Sequence, residues 1–159
     1  MKQEEFDLLD DESMIWFCVE PILKKTGKKD AAARTSALSE LNDAQRSLFL
    51  FQLLYGYAGH GLKELYSQIE YLAEIADIWS GIKTGMQYFG DLDMLAVVSA
   101  MEKGFYEARN DPGNFVFLEA LDRLYKETVP ASVSLIAAYI RNNPEEFLLV
   151  GSDAEEEQK

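Results

Sequence analysis

A chain of 159 residues, 48% apolar and 12% aromatic, has enough material for one domain with a real core and is far from the composition of disordered chains. Its 28 acidic residues outweigh 15 basic ones, and the net charge of −13 disfavours nucleic acid and anionic membranes as partners while favouring basic proteins. Cys18 is the single cysteine and can form no intrachain disulfide, the opening residues are acidic rather than signal-like, and the apolar runs at 14–19 and 48–51 are far shorter than the roughly 18 residues of a membrane span, so a cytoplasmic domain is expected.

Much of the charge sits at the ends. Residues 1–13 carry six acids and one lysine, and residues 151–159 carry four acids and one lysine. Both are expected as mobile acidic segments flanking a helical domain over 14–150. Residues 14–19 favour strand by composition, and Pro21 disturbs a helix interior, so a short strand beside 147–150 competes with a helix; helix is the reading taken, because a lone strand pair is marginal. Between Lys24 and Arg34 the sign reverses, which is expected as a solvated loop. Thr26-Gly27-Lys28 lacks the preceding glycine of a phosphate loop and is rejected as one.

Asp43 is placed to cap a helix running to about Ala58, with Gly59-His60-Gly61 ending it in a left-handed turn. Residues 48–58 are apolar almost all round, which makes this helix the expected centre of the core. Leu62, Leu65, Tyr66 and Ile69 continue at helical spacing. Leu72, Ile75, Trp79, Ile82, Met86 and Phe89 then draw one apolar stripe along a helix. Gly81 and Gly85 beside that stripe point either to a neighbouring backbone crossing closely or to a break at Ser80-Gly81. Asp91 caps a helix through Leu95, Val98, Met101 and Phe105, and Asp111-Pro112-Gly113 turns the chain. Asn114 caps the next helix, on which Glu119 with Arg123 and Asp122 with Lys126 form i,i+4 pairs. Pro130 suits the first turn of a last helix that Asn142-Asn143-Pro144 stops. The expectation is an all-α single-domain bundle or small stack of about six or seven helices.

Catalytic chemistry finds little to work with. His60 is the single histidine, which excludes two-histidine metal motifs and leaves one candidate base for a Ser-His-Asp or Cys-His arrangement. Between two glycines after a helix, it suits interaction with the helix C-terminus instead. Cys18 in an acidic, apolar segment reads as an inert buried thiol. Gly56, Gly59 and Gly61 have the wrong order for a dinucleotide fingerprint. Asp91 and Asp93 stand close enough for a cation, but Asp91 is already a cap. No catalytic, cofactor or metal residue is therefore assigned, no cofactor is expected, and the chain is read as a non-enzyme.

One surface feature is singled out. Glu70, Glu74 and Asp77 fall at i, i+4 and i+7 opposite the apolar stripe, as a negative ridge that docks a basic partner. The function expected is a non-catalytic acidic module engaging a basic protein, a nucleic-acid-binding protein or a basic toxin, with no direct contact to nucleic acid or membrane and with a homodimer left open. Two alternatives stand beside it. One is a small-molecule-binding or enzymatic helical domain with a pocket lined by Trp79, Tyr55, Tyr57, Tyr66 and Tyr88; the other is a self-associating structural protein.

Residues 57–66, Tyr57-Ala58-Gly59-His60-Gly61-Leu62-Lys63-Glu64-Leu65-Tyr66, resemble a bacterial family of domains of unknown function whose best-known member is an acidic DNA mimic. In that family an apolar helix leads into an Asn-Gly-Gly-Phe-x-Gln-aromatic segment. Gly61 matches its second glycine, Leu62 stands for the Phe, Glu64 for the Gln, and Tyr66 supplies an aromatic nearby. Gly59 and His60 occupy the places of the Asn and first Gly. The resemblance extends over about residues 41–109 in helical order. It implies an all-helical acidic module that imitates phosphates toward a DNA-binding protein, and it transfers no site residues.

Overall fold

In a computed structural model, residues 3–26, 31–71, 77–110 and 116–147 are described, and among them there are eight α-helices, one 3-10 turn and no strand. The helices are α1 (Gln3–Asp7), α2 (Asp11–Thr26), α3 (Ala31–Ser39), α4 (Asp43–Ala58), α5 (Leu62–Tyr71), α6 (Ile78–Phe89), α7 (Leu92–Asn110) and α8 (Val116–Asn142), followed by the 3-10 turn Pro144–Glu146. The chain is all-α, as its periodicity predicts. Residues 14–19 lie within α2, which continues through Pro21.

Two helices organise the rest: α4 and α8 each pack against α2, α5 and α6. Leu48, Phe51, Leu54 and Ala58 on α4 are fully buried, and burying each of the larger side chains contributes about 1.5–3 kcal/mol. The cap of α4 lies one residue earlier than expected. Asn42, not Asp43, accepts from the Gln45 N–H at 2.8 Å, and the Gln45 side chain answers the Asn42 N–H at 3.1 Å. This reciprocal pair satisfies two orphan amides at once. At the other end Gly59 keeps a right-handed conformation (φ −60), and the positive φ falls on Gly61 (105).

The question posed by Gly81 and Gly85 has a definite answer. Helix α6 runs unbroken through both, and α4 crosses over them. A Cβ at Gly81 would meet Leu50 Cδ1 at 3.0 Å, and one at Gly85 would meet Cα and O of Ser47 at 3.3 Å. The break instead precedes α6. Asp77 adopts a left-handed backbone (φ 46), and its carboxylate accepts from the Ser80 N–H at 3.1 Å, a conformation that Asp tolerates better than most residues. Trp79, Ile82, Met86 and Phe89 of the expected stripe are buried on α6, whereas Leu72 and Ile75 lie outside the described residues. Asp91 caps α7 as expected, accepting from the Met94 N–H at 3.1 Å.

The two last helices expected from Pro130 are one: α8 continues through it from Val116 to Asn142. A mid-helix proline loses one hydrogen bond and crowds the preceding turn. Leu118 and Tyr125 before it, and Val133, Ile136, Ala137 and Ile140 after it, are all buried in the same core, so packing on both sides outweighs that cost. Asn114 and residues 111–113 lie outside the described residues, as does the segment 151–159. Lys126 pairs with Asp122 at 3.1 Å as expected.

The acidic segment 1–13 is corrected. From residue 3 onward it is docked on the domain: α1 buries Phe6 edge-on against Phe17, with ring centroids 5.8 Å apart. Arg141 at the end of α8 then clamps the entry to α2, donating to Asp11 Oδ1 at 2.7 Å and to the Leu9 carbonyl at 2.8 Å. The charge pattern hides this docking because one apolar side chain and one distant arginine produce it. Of the basic stretch, Lys24 and Lys25 belong to α2 rather than to a loop and pair with Glu20 and Glu40 at 2.9 and 3.1 Å.

Candidate functional site

The expected acidic ridge does not form on one helix. Glu70 is on α5, Asp77 caps α6 from a left-handed backbone, and Glu74 lies outside the described residues. The i, i+4, i+7 spacing assumed an unbroken helix, which α5 and α6 do not make.

The five aromatics expected around one pocket also disperse. Tyr66 and Trp79 join Phe105 in a packed cluster, with centroids 5.3–6.3 Å apart, and the Tyr66 hydroxyl donates to the Met101 carbonyl at 2.8 Å. Tyr55 stacks on Phe51 instead, and Tyr88 packs edge-on against Tyr139. Tyr57 is half-buried against the core.

A groove of about 520 Å³ follows the α4–α6 crossing, lined by Asp43, Arg46, Asp77, Thr84 and Tyr88 among others. Its charged groups and the Tyr88 hydroxyl have partners within the fold. Arg46 reaches Asp43 at 3.4 Å and donates to the Leu41 carbonyl at 2.9 Å. The hydroxyls of Tyr88 and Tyr139 are 2.7 Å apart, and both lie on Glu146 Oε2, at 3.2 and 2.7 Å. Burial first, and then these partners, push Tyr139 far above the ordinary phenol range. The cluster ties the 3-10 turn to α6 and α8.

The outer face of α2 is different. Glu12, Trp16 and Glu20 recur every four residues, so each lies about 6 Å along the axis from the next. Trp16 is 49% exposed and forms part of the lining of two grooves. One, of about 540 Å³, has Leu9, Phe17 and Pro21 as its apolar lining. The other, of about 200 Å³, lies among Ile15, Phe51, Gln52, Tyr55 and Val133. Glu12 borders both.

The two carboxylates differ in their partners. Lys24, and to a lesser degree the Trp16 side chain, hold the Glu20 carboxyl below the usual carboxylate range. Glu12 accepts a hydrogen bond from the Tyr55 hydroxyl at 2.9 Å and has no cation partner among the described residues. A neutral hydroxyl orients the carboxylate without cancelling its charge. Burial, and then Glu12, raise Tyr55 above its ordinary value, which keeps it a donor. Just before this face, Asp10 caps α2 through the Ser13 N–H at 2.7 Å, and that bond lowers its carboxyl.

The spacing alone does not single out this face, because the Tyr55 that meets Glu12 lies 43 residues away in the chain. The signal available was the Glu12–Trp16–Glu20 spacing on a segment taken as helical. Cys18 points inward from the same helix, and burial pushes its thiol up to about 12. His60 is exposed in the turn after α4 and lines none of these grooves. Among the described residues no three His, Cys, Asp or Glu side chains gather to hold a metal ion, and no helix is long and apolar enough to cross a membrane.

No family model matches the chain, and neither a curated protein nor a solved structure is similar to it at a significant level.

Proposed function

We propose that this chain is a non-catalytic acidic module that engages a basic protein. The observation carrying this reading is the half-exposed Trp16 between Glu12 and Glu20, on a molecule of net charge −13. Tryptophan is enriched among residues that dominate binding energy, and an acidic surround speeds encounter with a basic partner. The class includes imitation of a nucleic acid, which the resemblance at 57–66 implies, and neutralisation of a basic toxin.

The test is retention of lysate proteins on the immobilised chain at low and then raised salt, beside a Trp16→Ala column. Basic proteins that are held by the native chain, released by salt and lost on the variant support the reading. Retention of nothing at any ionic strength overturns it. Displacement of the held protein by duplex DNA marks a mimic, and indifference to DNA marks neutralisation of a non-DNA-binding protein.

A further inference from the structure

We propose that the smaller groove beside Trp16 is a subsite for one arginine side chain of the partner, an inference that rests on the reading of the chain as a module for a basic protein. Its volume of about 200 Å³ suits a side chain rather than a peptide backbone. Ile15, Phe51 and Val133 close its floor, each almost entirely buried, and the half-buried Tyr55 and Gln52 form the wall along which the methylene stem lies. Trp16 supplies a half-exposed indole on which a planar guanidinium stacks. Glu12 supplies a carboxylate held in place by Tyr55 at 2.9 Å and left without a cation among the described residues. An arginine fork reaches a carboxylate in two parallel bonds while its plane stays on the ring, which a lysine ammonium cannot do.

The neighbouring features compete poorly for the same role. In the α4–α6 groove Arg46 already reaches Asp43, and on the outer side of Trp16 Lys24 already occupies Glu20.

The chain has two tryptophans, so their indole N–H resonances report the site with an internal control: Trp79 is 2% exposed and Trp16 49%. The probe is N-acetyl-arginine methylamide, titrated beside its lysine and citrulline counterparts. Arginine is expected to shift the Trp16 resonance and leave Trp79 unmoved, with lysine binding about tenfold more weakly and the uncharged citrulline not at all. Glu12→Gln, which keeps an acceptor for Tyr55, is expected to weaken arginine about tenfold, while Glu119→Gln on the exposed part of α8 leaves it unchanged. Equal binding of citrulline, an unaffected Glu12→Gln variant, or a shift confined to Trp79 overturns the subsite.

The two readings fail separately. A chain that captures a basic protein equally well with and without Glu12→Gln sinks the subsite alone. A chain that binds the arginine probe but retains no protein sinks the module alone.

Discussion

Trp79 and Trp16 carry the same side chain into opposite environments. Trp79 sits at 2% exposure among Tyr66 and Phe105, and its buried indole N–H meets no acceptor among the described residues. Its rings contact Tyr66 and Phe105 with centroids 6.3 and 5.7 Å apart, so that region gains packed aromatic surface. Trp16 sits at 49% exposure, bordered by two carboxylates and two grooves. There about half of the indole stays in water beside the Glu12 carboxylate, so it adds less to the folding free energy than its buried counterpart. One indole is thus spent on packing, and the other is left at the surface of a different helix.

The sharpest way to break this comparison is the same substitution at both sites. Trp79→Ala is expected to cost about 3–5 kcal/mol by urea denaturation, as truncating a buried aromatic does. Trp16→Ala is expected to cost less than about 1 kcal/mol, because half of its surface is already in solvent. Comparable losses at the two positions would dissolve the distinction.

A second contrast uses glycines. Gly85→Val pushes methyl groups into the Ser47 backbone, already 3.3 Å from where a Cβ would stand, and is expected to lower stability by about 1–3 kcal/mol. Gly56→Ala, on the exposed side of α4 with only Gln52 Nε2 at 3.8 Å, is expected to raise it by about 0.5–1 kcal/mol. Paired thermal melts would show the opposite signs, and a stabilised Gly85→Val would contradict the close crossing.

The interior phenols sharpen the same boundary by pH. Burial raises Tyr66 and Tyr125 above the ordinary 10.0. A raised folded value means that the stabilising, protonated form is fully present below pH 10, and that stability falls as pH rises above it while the unfolded chain ionises. The slope is expected to approach about 1.4 kcal/mol per pH unit for each tyrosine, read from denaturant midpoints across the alkaline range. A flat midpoint there would mean that these phenols are solvated.

The smallest effect is local to α2. Cys18 lies two residues from Trp16 but on the buried side, with its thiol raised to about 12. An aromatic disulfide reagent is expected to leave it untouched in the folded chain and to react fully in denaturant. Rapid labelling without unfolding would show that α2 opens on its own.

The α-helical class, the buried run on α4, the stripe Trp79–Ile82–Met86–Phe89 and the Asp91 cap were all readable from spacing, because each depends on a period of 3.6 or on one short capping bond. Position along the chain misled wherever a distant contact overruled a local preference. Pro130 reads as a helix start, yet core packing on both sides carries α8 through it. Residues 1–13 read as a charged tail, yet Phe6 and the Arg141 clamp dock the part from residue 3 onward. The Glu70, Glu74 and Asp77 ridge needed one continuous helix, and the left-handed backbone at Asp77 ends that premise.

By itself, then, the order of residues determined which segments coil, how much apolar surface they must hide and how negative the product is, since propensity, periodicity and charge are local sums. Only the folded chain decided which glycine faces a crossing helix, which tryptophan is hidden, and that Tyr55 from α4 meets Glu12 from α2 at 2.9 Å. Those outcomes depend on pairs of residues far apart in sequence, whose meeting is set by how helices pack and not by any one helix.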